Sequence, residues 1–118
     1  MGSKKLYVIR SYEGKVEFYT VKIYEENEKE YVTDSGFGWL IKGAGCNFPK
    51  DKLNKQLNGC YVTNKFYYKK LKKILETVYN TLNESHEEYI KEYTILKEAN
   101  EIWYKQSLKD LEKLNVKK

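Results

Sequence analysis

A chain of 118 residues, 41% hydrophobic and 33% charged, is sized for one domain with a modest core that removes about two thirds of its unfolded surface from water. Its 22 basic and 17 acidic residues give a net charge of +5, which suits phosphate contact but falls short of the charge density of a dedicated nucleic-acid binder. No stretch approaches the roughly 18 apolar residues of a membrane span, so a cytoplasmic protein is expected, in the host cytoplasm if it is phage-encoded. In that reducing compartment Cys46 and Cys60 are expected as free thiols, with a disulfide across the proline loop as the less favoured alternative. Met1-Gly2-Ser3 reads as a leader added for expression, leaving a single expected domain over residues 4–118. Arg10 is the sole arginine among the 22 basic residues, which also sit beside 12 tyrosines. That bias belongs to an A/T-rich coding sequence, so lysine abundance by itself is weak support for nucleic-acid binding.

In chain order, the apolar run Leu6-Tyr7-Val8-Ile9, broken at Glu13-Gly14 and resumed from Lys15 to Tyr24, predicts a β-hairpin. In its second arm Val16 and Phe18 share one face while Tyr19, Val21 and Ile23 share the other. That strand is therefore either covered on both sides or bulged near Phe18. An acidic turn at Glu25-Glu26-Asn27-Glu28 leads to a third strand, Glu30 to Asp34, and Ser35-Gly36-Phe37-Gly38 turns into a fourth, Trp39 to Lys42. Asn47 and Pro49 can start a short helical turn through Leu53, and Gly59 to Thr63 is a fifth strand. Every glycine lies at or before Gly59 and the only proline is Pro49.

After Thr63 the apolar positions Tyr67, Leu71, Ile74, Leu75, Val78 and Leu82 step by three and four, the spacing of one helical stripe. The stripe continues through Tyr89, Tyr93, Leu96, Trp103, Ser107, Leu111 and Leu114. Asn80, Asn83 and the capping-box pair Ser85 and Glu88 favour two helices with a break near residues 83–85 over one long helix. The expected class is α+β: an antiparallel meander of four or five strands over residues 4–63, then a helical half over residues 64–115. That much helix exceeds what a small sheet can cover, so a homodimer or higher oligomer through the C-terminal helices is expected.

Catalytic chemistry is not expected. The single histidine, His86, sits among glutamates, and the two cysteines are too far apart for a CxxC device. Glu25-Glu26 and Glu87-Glu88 lie in polar runs. No catalytic residue, metal site or cofactor is assigned, and the chain is read as a non-enzyme.

Binding chemistry is richer. Gly36-Phe37-Gly38-Trp39, followed by Lys42, combines permissive backbone, two aromatic faces and a cation, as a nucleotide requires; a tight hairpin with Trp39 in the core is the structural alternative. Arg10 can grip a phosphate bidentately or form a strand-surface ion pair. Lys65, Lys69, Lys70, Lys72 and Lys73, with Tyr67 and Tyr68 between them, can follow a phosphate chain or form a solvated helix face. Asn100, Trp103, Tyr104 and Lys105 place an aromatic and polar patch on one turn of helix, where Trp103 is a ligand platform or a core or dimer anchor.

The order of parts resembles the Thoeris anti-defence sponge family of phages. The resemblance rests on the hairpin Leu6-Tyr7-Val8-Ile9-Arg10-Ser11-Tyr12-Glu13-Gly14-Lys15-Val16, the loop Gly36-Phe37-Gly38-Trp39 and the proline-free helical half. It implies an oligomeric protein that sequesters a cyclic ADP-ribose isomer without cleaving it. The expected ligand-binding set is Arg10, Gly36, Phe37, Gly38, Trp39, Lys42, Asn100, Trp103, Tyr104 and Lys105, with a small cyclic nucleotide as partner. Alternatives are a protein-binding inhibitor such as an anti-CRISPR and a small nucleic-acid-binding phage protein; nucleic acid is the less favoured partner, and no membrane is expected.

Overall fold

The hairpin expected from the first alternating runs is the spine of the observed fold. In a computed structural model that describes residues 4–12, 15–34, 36–37, 40, 45–57, 60–86 and 93–116, it is formed by β1 (Lys5–Tyr12) and β2 (Lys15–Glu26). There follow β3 (Glu30–Thr33), β4 (Asn47–Pro49), a 3-10 turn at Lys50–Lys52, β5 (Gln56–Leu57), β6 (Cys60–Thr63), and the helices α1 (Tyr68–His86) and α2 (Tyr93–Val116). The class is α+β. The sheet order β4-β3-β2-β1-β6-β5 keeps the first four strands as a meander and adds the β5–β6 pair beyond β1.

Two expectations for the sheet change. The strand that flanks β3 is Asn47–Pro49, where a helical turn was expected: Tyr31 pairs with Phe48 and Glu30 with Pro49. Proline fits there because β4 is an edge strand, so its missing N–H costs no ladder bond. The helical turn starts one residue later, at Lys50. The expected strand Trp39 to Lys42 lies outside the described residues except for Leu40, which occupies a turn whose N–H donates to the Phe37 carbonyl. β5 was not anticipated. It is organised by Asn54, whose φ of 62° an asparagine tolerates and whose Oδ1 accepts from the Thr63 hydroxyl at 2.6 Å.

The chain divides into two compact units: residues up to Val8 with Thr20–Phe66, and Ile9–Tyr19 with Tyr67 onward. The outer half of the hairpin groups with the helices. Burial changes phase at the same places. Val8 and Ile9 are both fully buried, and in β2 the buried positions run Val16, Phe18, then Val21, so the hairpin arms present different faces in the two units.

In the first unit Leu6, Val8, Val21, Phe37, Phe48 and Val62 are buried, with the Phe37 ring set edge-on to Phe48 at 4.8 Å. Cys60 is buried and Cys46 exposed, both as free thiols. In the second, α1 packs on α2 and buries Leu71, Ile74, Leu75 and Val78, the predicted stripe without Tyr67, which precedes the helix and is exposed, and Leu82, which is half-buried. Two helices are present, as favoured, but α1 runs through Asn80, Asn83 and Ser85 to His86, so the helix continues past the break expected near residues 83–85. Tertiary contact overrides the weak propensity of asparagine: Asn83 Oδ1 accepts a hydrogen bond from Asn100 Nδ2 at 3.0 Å.

Candidate functional site

The helical unit carries half of the expected ligand set. On α2 the inward stripe is Asn100, Tyr104, Ser107 and Leu111, with Asn100, Ser107 and Leu111 buried and Tyr104 half-buried. Asn100 is fully buried and its carboxamide is consumed: Oδ1 accepts from the Val16 N–H at 2.9 Å, and Nδ2 donates to the Tyr79 carbonyl at 3.2 Å and to Asn83 Oδ1. It is a structural node that ties β2 and α1 to α2, which corrects its assignment as a ligand contact. Tyr104 is likewise engaged, its ring stacked on Tyr79 at 4.1 Å and 9°. Burial, with Glu76 and Tyr79 close by, raises its hydroxyl pKa above the usual tyrosine value.

Trp103 and Lys105 remain at the surface, but helical geometry separates them. Two residues are about 200° of turn, so they face away from each other and cannot grip one small ligand together. Lys105 Nζ pairs with Glu101 at 3.4 Å. Trp103 is 40% exposed, and the Val16–Asn100 bond places its neighbour Lys15 against α2 with Nζ 5.0 Å from the indole centroid. That contact contributes about 0.5–1 kcal/mol at an exposed site. Arg10 takes the ion-pair alternative: its guanidinium meets Glu17 at 3.5 Å and lies 5.0 Å from the Tyr19 ring centre.

In the other unit, Phe37 is a core residue, fully buried against Phe48, which corrects its assignment as a stacking platform. Its N–H donates to the Gly45 carbonyl at 2.6 Å, and Gly36 lies beside the same carbonyl. Gly45, with φ of 56°, supplies the left-handed conformation that closes this loop. Gly38, Trp39 and Lys42 lie outside the described residues.

The same unit holds a polar recess that no sequence pattern announced. It has a volume of about 390 Å3 and is lined by Lys4, Lys5, Tyr7, Glu26, Tyr31 and Asn64. Two features of the sheet build it. The register between β2 and β3 slips between Ile23 and Glu25: Ile23 pairs with Thr33, Glu25 with Val32 and Glu26 with Tyr31. This extra residue is a bulge that puts Glu26 on the same face as Ile23, Tyr31 and Thr33, which simple alternation forbids. The second feature is curl. Asn64 directly follows β6, three strand intervals from β3, about 14 Å on a flat sheet. Its Nδ2 nevertheless donates to the Tyr31 hydroxyl at 2.9 Å.

At the recess one carboxylate is shared by two ammonium groups. Lys4 Nζ meets Glu26 Oε1 at 2.8 Å and Lys50 Nζ meets Oε2 at 2.6 Å. Lys50 also lies 5.0 Å from the Tyr31 ring centre. Hydrogen bonds from Lys4 and Lys50 hold the Glu26 pKa down at about 2, and the bond to Glu26 raises that of Lys4. The only sequence trace of this cluster is the Lys4-Lys5 pair, since its other members lie 22 to 33 residues away from their partners.

Among the described residues no group of three or more His, Cys, Asp or Glu side chains is placed to hold a metal ion, and no helix is long and apolar enough to cross a membrane. The chain matches no family model, no curated protein and no solved structure.

Proposed function

We propose that this protein captures a small cyclic nucleotide, an isomer of cyclic ADP-ribose, and holds it without chemistry, as a phage-type anti-defence sponge would. The observation that carries this proposal is the Lys15–Trp103 pair: an indole 40% exposed, with an ammonium 5.0 Å from its ring, on a helix fixed by the buried Asn100 amide. A base stacked on an exposed aromatic gains about 1–3 kcal/mol, and the adjacent ammonium meets a phosphate. Ile102, next to Trp103 and 66% exposed, supports the companion proposal that copies of this chain associate through α2. The resemblance noted in the sequence supplies the ligand class.

The protein is incubated with an extract of cells whose nucleotide-based immunity has been triggered, then washed and denatured, and the released small molecules are identified by mass spectrometry. An intact adenine nucleotide absent from a mock extract is expected. Trp103→Ala should reduce the retained amount by roughly tenfold, from the loss of one stacking contact. An empty protein rejects the proposal and makes a protein target the better reading.

A further inference from the structure

The geometry points to a second, independent binding site: the recess formed by Lys4, Lys5, Tyr31 and Asn64 takes a phosphate monoester. Lys4 and Lys50 each meet the carboxylate of Glu26, and Lys5 is a further cation in the lining of the recess. Three positive charges against one negative leave the recess at +2. Glu25 and Glu30 are not among the residues that line it. Glu25 is on the opposite face from Glu26 by alternation along β2, and Glu30 stands in the same relation to Tyr31 on β3. A singly charged carboxylate ligand would neutralise half of the surplus, whereas a phosphate monoester, with a charge near −2 at neutral pH, neutralises all of it.

The neutral donors fit the same anion. Asn64 Nδ2 donates to the Tyr31 oxygen, so the tyrosine hydroxyl directs its own proton elsewhere, and both groups line the recess. Glu26 acts as an internal brace. Each of its oxygens takes one lysine, so two flexible side chains are already ordered before a ligand arrives, which lowers the entropy that binding must overcome. The bulge between Ile23 and Glu25 is what brings this brace to the face, a re-aiming that bulges perform beside functional sites. A volume of about 390 Å3 is within the size range of small-molecule sites, with room for a sugar or nucleoside beyond the phosphate.

The test is a 1H–15N NMR titration of the whole protein with inorganic phosphate, with adenosine monophosphate, and with potassium chloride at matched ionic strength. Saturable shifts at the amides of Lys4, Lys5, Tyr7, Tyr31 and Asn64 are expected with both phosphates and not with chloride. Tighter binding of the nucleotide identifies a phosphorylated organic molecule as the ligand, and equal binding identifies free phosphate. Lys5→Ala should weaken binding by about tenfold and Tyr31→Phe by about threefold, from the loss of a charge-assisted and a neutral hydrogen bond. Lys5 is exposed and Phe retains the Tyr31 ring, so both variants keep the fold, as undisturbed shifts outside the recess will verify. Trp103→Ala should leave this binding unchanged, which separates the site from the nucleotide platform on α2. Shifts that are absent, that fail to saturate, or that match those in chloride overturn the proposal, as does wild-type affinity in both recess variants.

Discussion

Lysines and aromatic rings occur together in both units of this molecule, yet they behave differently. On α1, Lys69, Lys70, Lys72 and Lys73 are exposed, and Lys72 lies near Tyr68 at 5.8 Å from the ring centre. A convex helix spreads such charges around its circumference, and water screens each one. At the curled sheet, Lys4 and Lys50 converge on one carboxylate beside Tyr31, because a concave surface points side chains inward. Convergence, more than composition, distinguishes a recess able to select an anion from a solvated basic face.

The comparison is sharpened first at its most demanding point, the polar node of the helical unit. Asn100→Leu leaves the Val16 N–H and the Tyr79 carbonyl without their buried partner, at about 1–3 kcal/mol for each unsatisfied group. A loss of about 3 kcal/mol in urea unfolding is expected; a change below about 0.5 kcal/mol would show that the node does not fasten α2. Tyr104→Leu, which removes the ring stack on Tyr79, should cost about 1 kcal/mol beyond its lost area, and the double variant with Tyr79→Leu should show non-additivity of that size.

The recess responds to pH through Glu26 and Lys4. The Glu26 pKa is lowered in the folded state, so its contribution to stability is present above the unfolded value of 4.5 and is lost as pH falls through about 2. The Lys4 pKa is raised, so its contribution is complete below 10.5 and is lost as pH rises beyond that value. Carbon-detected NMR should give a Glu26 midpoint near 2, and Lys4→Ala combined with Lys50→Ala should return it toward 4.5. A wild-type midpoint already at 4.5 would dissolve the cluster as described. The smallest effect is that of salt: because these groups reach water, 1 M sodium chloride should bring the Glu26 midpoint part of the way up.

Much of the fold was legible because it is written in local periodicity. The β1–β2 hairpin, the strand at Glu30, the strand ending at Thr63 and the two helices each follow from apolar spacing within a dozen residues. The misplacements have local causes that were outvoted. Asn47-Phe48-Pro49 carries a helix-start signal, but β3 offered Phe48 a buried position opposite Tyr31, and an edge strand tolerates proline. Asn83 is a weak helix former and Ser85 with Glu88 carries a capping-box start signal, but the Asn100 amide gave Asn83 a partner inside the helix.

The candidate site divided in the same way. Sequence marked Trp103 as an aromatic to watch, and the structure leaves it exposed beside Lys15. It also marked Asn100 and Phe37, which the structure buries as a node and a core ring. The recess went unseen, since its partners stand 22 to 33 residues apart and no window of periodicity spans them.

By itself the sequence determined the α+β class, the succession of strands then helices and the absence of long apolar spans, since backbone propensity and apolar spacing act between near neighbours. Only the tertiary structure decided which polar groups meet. A one-residue bulge turned Glu26 onto the concave face, sheet curl brought Asn64 to Tyr31, and a hydrogen bond across 84 residues set Lys15 beside Trp103. Such meetings depend on distances through space, which a linear pattern of residue types does not encode.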